Sequence, residues 1–259
     1  MKYFAFIILL LSFQLIAYAQ TPEELGLAIA QEMDKRDEGF KDTRADLVML
    51  LRNRRGDEST RRIRTRTLEV QGDGDKSLTI FDHPADVKGT KFLSFTHAKR
   101  PDDQWLYLPA LKRVKRISSN NKSGPFMGSE FAYEDLTSQE VDKYTYKFIQ
   151  DEQLNQRDNF VIERFPTYAN SGYTRQLVWV DKEHYYPVKT EFYDRKNSLL
   201  KTLEFSDYKQ YLGKYWRADK MHVHNHQTGK STTLSWQNYQ FGTGLSSRDF
   251  DRNSLKRIR

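Results

Sequence analysis

Three histidines at alternate positions, His222, His224 and His226, come closest to the side-chain pattern of a metal site. Alternate side chains of a β-strand point to the same face, so the three imidazoles would lie together. Neighbouring members would be about 7 Å apart by Cα, a separation from which two histidines can share one zinc ion. A third ligand would have to come from another strand, and the sequence identifies none. A solvated polar face is therefore the favoured interpretation, with a metal site as a weak candidate, and no cofactor is predicted.

Other catalytic chemistry has little support in the sequence. The chain has no cysteine, and it contains no nucleophile elbow, zincin motif, phosphate loop or dinucleotide fingerprint. The run 72–75, Gly-Asp-Gly-Asp, is too short for a calcium loop and fits a turn. Carboxylates such as Glu130, Glu134 and Asp135 lie close in sequence, but no pattern places them in a cleft. The protein is therefore predicted not to be an enzyme.

The strongest charge feature is a basic run on a predicted strand, formed by Lys112, Arg113, Lys115 and Arg116. Cations on an edge strand discourage aggregation, so a solvated edge is one interpretation. A second is a rim that contacts anionic lipid headgroups beside an apolar interior. A third is a docking surface for an acidic protein partner. The residues alone leave these three interpretations open.

Apolar side chains surround this basic run. Trp105 and Tyr107 precede it on a strand that Pro109 ends, and they alternate with leucines that point to the opposite face. A polar, glycine-containing loop follows the run and carries Phe126 and Met127 near its tip. A surface turn does not need apolar residues there, so this loop must contact something beyond itself.

Residues 1–19 are predicted to be a secretory signal peptide, cleaved after Ala19. Lys2 precedes an apolar run over residues 4–11, and the segment ends with the small-x-small pattern of a cleavage site. The run is too short to span a membrane comfortably. Export gives the net charge of +7 a specific meaning, because a periplasmic protein meets anionic lipids and acidic proteins. Nucleic acid is therefore not a predicted partner.

The rest of the chain predicts one helix followed by many strands. Thr21, Pro22 and Glu24 form a capping-box pattern, and apolar residues recur at helical spacing as far as Gly39. Alternating or apolar segments follow, separated by turn residues. These segments are residues 45–52, 61–70, 77–81, 90–97, 103–108, 112–117, 143–149, 159–165, 174–181, 187–193, 199–208, 215–226 and 231–241. Short turns at regular spacing indicate a meandering antiparallel sheet, open or nearly closed, in a single domain of residues 20–259.

Such a sheet has more apolar face than one helix can cover. The chain holds 15 Tyr, 16 Phe and 4 Trp, and they are spread over nearly every predicted strand. Either the sheet curls around a cavity or its two sides pack into a filled sandwich core. The pattern alone leaves both arrangements open.

The stretch with the basic run and the aromatic loop carries a family resemblance. Residues 105–118, WLYLPALKRVKRIS, and residues 124–136, GPFMGSEFAYEDL, resemble the LolA-like group of outer-membrane lipoprotein-sorting proteins. Within it they are most similar to the branch found beside resistance-nodulation-division (RND) or MMPL-type transporters. The resemblance implies an incomplete β-barrel. In that fold a strongly curved antiparallel sheet encloses an apolar hollow, with an N-terminal helix and a short helical or loop lid across its open side.

The resemblance implies carriage rather than catalysis. A periplasmic monomer would take up acyl chains of a lipoprotein or another lipid, with an inner-membrane transporter as possible donor and an outer-membrane acceptor. Burying one CH₂ is worth about 0.8 kcal/mol, so a long chain needs shelter from water. The basic run would then be the rim or docking edge of the hollow. The predicted wall or lid consists of Trp105, Tyr107, Leu108, Phe126, Met127, Phe131 and Tyr133.

Two questions stay open at the level of sequence. LolA carriers hold the lid with a buried arginine, whose counterpart cannot be chosen among the arginines of residues 52–66. The alternative function is a non-transporting accessory subunit that docks on the transporter through the basic run. A large, continuous apolar cavity would favour the carrier, and a filled core with a flat basic face would favour the accessory subunit.

Overall fold

The computed structural model describes residues 20–118 and 121–257. The predicted signal peptide and its cleavage point after Ala19 lie outside these residues. Within the described chain, no helix is both long and apolar enough to cross a membrane.

The N-terminal helix α1 (Pro22–Asp37) begins where its sequence predicts. The Thr21 hydroxyl accepts from the Glu24 N–H, and the Glu24 carboxylate accepts from the Thr21 N–H at 2.8 Å. This capping box satisfies two donors that a helix start otherwise leaves unpaired. The buried side of α1 carries Ile29 and Ala30, so the helix is fixed at its start by hydrogen bonds and along its length by packing.

Every strand segment expected from the sequence is a strand, with ends shifted by a few residues. The strands are β1 (Asp42–Arg52), β2 (Glu58–Leu68), β3 (Lys76–His83), β4 (Lys91–Phe95), β5 (Asp103–Leu108), β6 (Arg113–Ile117), β7 (Tyr144–Leu154), β8 (Arg157–Pro166), β9 (Tyr173–Asp181), β10 (Pro187–Asp194), β11 (Leu199–Tyr211), β12 (Tyr215–Asn225) and β13 (Ser231–Phe241).

All 13 strands belong to one sheet, in the order β6-β5-β4-β3-β2-β1-β13-β12-β11-β10-β9-β8-β7. Each neighbouring pair is antiparallel. The first and last strands pair in the middle, so β6 and β7 are left as the two edges. Strand twist curls so wide a sheet, yet the edges do not pair and the barrel stays incomplete. The predicted fold class, a curved antiparallel sheet with one N-terminal helix, is confirmed.

Different segments of the chain cover the two faces of the sheet. We call the side of Phe81 and Phe92 the inner face, and the side of Leu78 and Leu93 the outer face, because the strand register places these pairs on opposite sides. The inner face is covered by α1 and by the segment between β6 and β7. The outer face of β3, β4 and β5 is covered by the C-terminal segment after β13, through Leu245, Phe250 and Leu255.

Helix α1 approaches the sheet at a glycine. A Cβ atom built at Gly26 would lie 2.7 Å from the carbonyl carbon of Lys147 and 2.7 Å from the nitrogen of Phe148, both in the β7 backbone. Backbone atoms cannot move aside as a flexible side chain can. Gly26 is therefore the residue that lets the helix lie directly on the edge strand.

We expect Gly26→Ala to lower the free energy of unfolding by about 1–3 kcal/mol, because the added methyl group overpacks the contact with β7. The direction of this change in stability is informative, since glycine to alanine in an exposed helix interior stabilises a protein by about 1 kcal/mol. Urea denaturation followed by circular dichroism measures the difference. Gln31→Ala, at an exposed position of the same helix, serves as control and should stay within about 0.5 kcal/mol. Unchanged or increased stability of Gly26→Ala would contradict the close contact.

Candidate functional site

The segment between the two edge strands fills the hollow of the sheet. We call residues 121–143 the plug. Its Phe126 ring lies 5.9 Å from the ring of Phe81 and 5.2 Å from that of Phe92, and the Tyr133 ring lies 5.5 Å from Phe92. The Phe126 side chain is only 1% exposed. The plug therefore contributes the aromatic core of the inner face.

The tip of the plug is a tight turn that aims two phenylalanines at the sheet. Pro125 and Ala132 form a short antiparallel bridge, and the Phe126 N–H donates to the Phe131 carbonyl at 2.7 Å. Met127 between them has φ of 50°, a left-handed conformation that few non-glycine residues adopt. Its carbonyl accepts from the guanidinium of Arg61 at 2.5 Å. An arginine within residues 52–66 thus contacts the plug, and burial lowers the pKa of Arg61.

A buried lysine holds the middle of the plug. Lys201 of β11 is 3% exposed, and its Nζ lies 2.5 Å from Oδ2 of Asp135 and 2.9 Å from the carbonyl of Glu130. The same ammonium lies over the rings of Tyr173 and Phe192, 5.3 and 4.9 Å from their centroids. Such a pair is stable in an apolar environment only with further hydrogen bonds, and the Tyr173 hydroxyl donates one to Asp135 at 2.8 Å.

A second set of hydrogen-bond donors surrounds the neighbouring carboxylate, that of Glu134. Glu134 accepts from the hydroxyls of Tyr168 and Ser171, both at 2.9 Å, and from the N–H of Gly172 at 2.8 Å. Burial, and next the negative charge of Asp135, raise the pKa of Glu134, although its three hydrogen bonds oppose this shift. A Cβ at Gly172 would lie 2.9 Å from Oε1 of Glu134. Glycine at this turn is what allows the carboxylate to approach the backbone.

Both ends of the plug are attached to one carboxylate. Asp102, in the turn before β5, pairs with Lys122 at 3.1 Å through Oδ2 and with Lys143 through Oδ1. The three side chains are almost completely buried. The plug is therefore fixed at its ends by Asp102 and in its middle by the buried groups of residues 134–135.

The residues predicted as cavity wall or lid fall into two clusters. Trp105 and Tyr107 belong to the outer-face cluster with the C-terminal segment, because they alternate with leucines along β5. The other five residues of the predicted set belong to the inner-face cluster, and they are Leu108, Phe126, Met127, Phe131 and Tyr133. The structure thus separates Trp105 and Tyr107 from the plug. Of the other five, Leu108 lies on β5 and the remaining four belong to the plug itself.

The basic run forms one edge of the sheet. Lys112, with φ of 50°, leads into β6, which pairs with β5 alone. Arg113, Lys115 and Arg116 are exposed, and Arg116 pairs with Asp103 at 2.5 Å. Beside them the side chain of Leu111 is 59% exposed. This edge offers positive charge and one apolar side chain to a partner.

The three histidines lie on the outer face of β12 and in the turn that follows it. Nδ1 of His222 is 2.8 Å from the hydroxyl of Thr233, and Nε2 of His226 is 2.8 Å from the hydroxyl of Thr202. Among the residues that the structure describes, no three His, Asp or Glu side chains come together as metal ligands. Hydrogen bonds to threonine account for two of these imidazoles.

Sequence reasoning missed Lys201, Asp102 and Glu134 as organising residues. One signal for Lys201 exists, because it follows Leu199 and Leu200 on a strand where the next inner-face residue is Leu203. A lysine at a core-facing position of such a strand requires a buried partner. The sequence carries no comparable signal for which carboxylate that partner is.

Comparison with known proteins agrees with this architecture. A family model described as "Uncharacterized protein" matches residues 73–257. The chain is 61% identical to an outer membrane lipoprotein-sorting protein domain from Vibrio parahaemolyticus, with a TM-score of 0.89 over 91% of this chain and 100% of that chain. It is 33% identical to a DUF1329 family protein from Desulfovibrio piger, with a TM-score of 0.86 and the same coverage. No curated protein matches.

A structure of much lower sequence identity has the same fold. A LolA superfamily protein from Nitrosomonas europaea is 19% identical, with a TM-score of 0.71 over 91% of this chain and 99% of that chain. The open sheet with its helix and plug is therefore a LolA-like fold. The chain belongs to the family of outer-membrane lipoprotein-sorting proteins that includes its 61% identical relative, and its fold is LolA-like, as its sequence resemblance indicated. Membership of the branch found beside RND or MMPL-type transporters stays a prediction.

Lys201→Met leaves Asp135 buried without its cation, so we expect the free energy of unfolding to fall by about 3–5 kcal/mol. Lys209→Met, on the same strand, removes a surface pair with Asp219 in which the lysine side chain is 65% exposed. That control should leave the free energy of unfolding nearly unchanged, because water screens an exposed pair. Urea denaturation of both variants tests the difference. Equal losses would mean that the Lys201 pair does not anchor the plug.

Proposed function

We propose that the protein is a periplasmic carrier that binds acyl chains of a lipoprotein or another lipid on the inner face of its sheet. After removal of residues 1–19, residues 20–259 would act as one LolA-like lipid-carrier domain. The family, and the description of the Vibrio parahaemolyticus relative as lipoprotein-sorting, support this assignment. The observation that carries it is the plug, whose Phe126 and Phe131 occupy the apolar space that an acyl chain would need.

Uptake would exchange one apolar filler for another. An acyl chain of about 15 methylenes gains up to roughly 12 kcal/mol when it leaves water. Releasing the buried pair of Lys201 and Asp135 costs about 3–5 kcal/mol if one partner is left without the other, and less if both become hydrated. Exposing Phe126 and Phe131 costs about 1.5–3 kcal/mol more for each side chain. A cargo of this length can therefore offset both costs, whereas a short chain cannot. Without cargo, the phenylalanines refill the hollow and keep it dry.

The carrier needs a donor and an acceptor for its cargo. An inner-membrane transporter of the RND or MMPL type would supply the lipid, and an outer-membrane acceptor would receive it, with the protein acting as a monomer between them. Carriage makes and breaks no covalent bond, so the proposed protein is not an enzyme. The exposed cations of β6 and Leu111 supply a docking edge for an anionic membrane surface or for the acidic face of a partner.

A second candidate function is an accessory subunit that docks on the transporter without carrying lipid. The tightly filled inner face favours it, because a core that never opens has no room for cargo. The two functions differ in one measurable property, namely whether an acyl chain can displace the plug. Native mass spectrometry of protein purified from the cell envelope separates them, since a carrier retains a lipid-sized adduct.

We expect wild-type protein to bind a fluorescent 18-carbon fatty acid, and Phe205→Glu to weaken that binding at least about tenfold. Phe205 packs in the inner-face cluster, where a carboxylate would oppose burial of the chain. The adjacent residue Ser206 is exposed and opposes Lys220 on the outer face, so Ser206→Glu is the matched control. Fluorescence titration measures affinity, and thermal melting verifies that each variant folds. No uptake by folded wild-type protein, together with no lipid adduct, would reject the carrier.

Reversing Lys112, Arg113, Lys115 and Arg116 to Glu should reduce lipid transfer or docking with little loss of folding. The reason is that these side chains are exposed at a sheet edge, although Arg116 also pairs with Asp103. A double reversal, Arg113→Glu with Lys115→Glu, is compared with Arg54→Glu plus Arg55→Glu, which changes the charge equally at another exposed site. Transfer between donor and acceptor vesicles is the readout. Equal transfer by both double variants would mean that the basic run is only a solvated edge of the sheet.

A further inference from the structure

A row of side chains that carry hydrogen-bond donors crosses the inner face beneath the plug. Lys201 of β11 lies directly opposite Phe192 of β10 on one side and Asn225 of β12 on the other. The Tyr173 ring of β9 lies 4.9 Å from the Phe192 ring, measured between centroids. We call Tyr173, Lys201 and Asn225 the donor row. Three different strands thus bring their donors to one place on the inner face.

Each member of the donor row donates to an acceptor that belongs to the plug. The Lys201 ammonium donates to Oδ2 of Asp135 and to the carbonyl of Glu130. The Tyr173 hydroxyl donates to Oδ1 of Asp135 at 2.8 Å. The side-chain amide of Asn225 donates to Oε2 of Glu130 at 2.7 Å. The plug therefore places two carboxylates against three donors of the sheet.

Contacts outside the plug keep the donor row ready to donate. Oδ1 of Asn225 accepts from the N–H groups of Gln227 and Thr228, both at 3.0 Å, so the NH₂ of the same amide is directed at the plug. Burial, and next the negative charge of Asp135, raise the pKa of Tyr173 well above its usual value. The hydroxyl of Tyr173 therefore keeps its proton and acts as a donor. Both side chains match an acceptor with negative charge.

Displacement of the middle of the plug would separate Lys201 from its negative partner. Both acceptors of its ammonium, on Asp135 and Glu130, would leave with the plug, whereas Lys201 is part of the sheet. The rings of Tyr173 and Phe192 beneath the ammonium compensate only part of the cost of a buried cation. A neutral cargo would leave this cation without a partner, and an anionic cargo would take the place of Asp135.

We infer that the donor row binds the anionic headgroup, a carboxylate or a phosphate, of the acyl cargo, and that Asp135 and Glu130 of the plug occupy this site when cargo is absent. The inference rests on the proposed carrier function and adds the class of lipid. Hydrogen bonds between an ammonium and a carboxylate or phosphate are roughly twice as strong as neutral ones. The carrier would therefore prefer a lipid with a negative headgroup to a neutral lipid of the same chain length.

An alternative is that the donor row only fixes the position of the plug, as a buried polar network does in many cores. Lys201 would then not touch cargo, and the charge of the headgroup would not change the affinity. The ratio of the affinities for a fatty acid and for its methyl ester distinguishes the two interpretations. The contribution of the acyl chain and the cost of displacing the plug are common to both ligands, so they cancel in this ratio.

The test measures how an 18-carbon fatty acid and its methyl ester compete with a fluorescent fatty acid for the mature chain. Wild-type protein should bind the acid at least about tenfold more tightly than the ester. Lys201→Met combined with Asp135→Asn removes both charges but leaves an acceptor for Tyr173, and this variant should bind the two ligands about equally. Lys209→Met, at an exposed position of the same strand, should keep the wild-type ratio. Thermal melting verifies that each variant folds.

Asp135→Asn alone tests the exchange between plug and cargo. The change weakens the hold of the plug on Lys201 and leaves Lys201 available to the cargo. Both ligands should therefore bind at least about threefold more tightly than to wild type, with the ratio of acid to ester unchanged. Affinities that do not rise in the folded variant would overturn the exchange.

A second pair of ligands, lysophosphatidic acid and a monoacylglycerol of the same chain length, distinguishes the headgroups. A preference for the charged member of either pair that is lost with Lys201 supports the inference, and a preference confined to the second pair identifies a phosphate. Equal binding within both pairs, or a preference that persists without Lys201, would overturn the inference while leaving the carrier function in place. Failure of all four ligands to bind folded wild-type protein would instead reject the carrier function, and the inference with it.

Discussion

The architecture depends on covering the inner face of an open antiparallel sheet. Thirteen strands in one layer curl through their own twist and present a hollow far wider than a single helix can fill. Helix α1 covers the part formed by β7, β8 and β9, through Ile29 and Ala30. The plug covers the rest with Phe126 and Phe131. Exposure of the apolar hollow to water is unfavourable, so apolar groups must fill it.

Polar groups determine where the plug lies, and apolar groups determine how strongly the hollow is filled. Lys201 and Glu134 are buried with their hydrogen-bond partners, so each allows one position of the plug and penalises every other. Phe126 and Phe131 gain nearly as much from any dry contact, since burial of apolar area has no direction. A segment built in this way has one defined position and an apolar surface, as the proposed exchange with an acyl chain requires.

Most of the architecture could be predicted from residue patterns, because strand alternation and turn residues act over short distances. The capping box at Thr21 and each strand segment are local signals of this kind. The alternation of Trp105 and Tyr107 with their leucine neighbours was also visible, yet nearness in sequence grouped them with the plug. The outer-face partner of these two aromatics comes from Phe250 and Leu255, more than a hundred residues away.

The buried charges could not be predicted, for a related reason. Lys201 and Asp135 are 66 residues apart, and no periodicity links a lysine on one strand to an aspartate in a loop. The basic run was visible as a charge feature, but its place at the sheet edge follows from the strand order. Pairing of β1 with β13 in the middle of the sheet makes β6 and β7 edges, and that pairing is a long-range property of the fold.

The attachment of Lys122 and Lys143 to Asp102 has a consequence for the entropy of the plug. Two points about twenty residues apart are held at one carboxylate, so the plug is a ring closed by ion pairs rather than a free linker. The entropy of closing that ring is lost once, when the chain folds. In the proposed uptake, displacing the middle of the plug would leave its two ends at Asp102, so β5 and β7 would keep their hydrogen bonds.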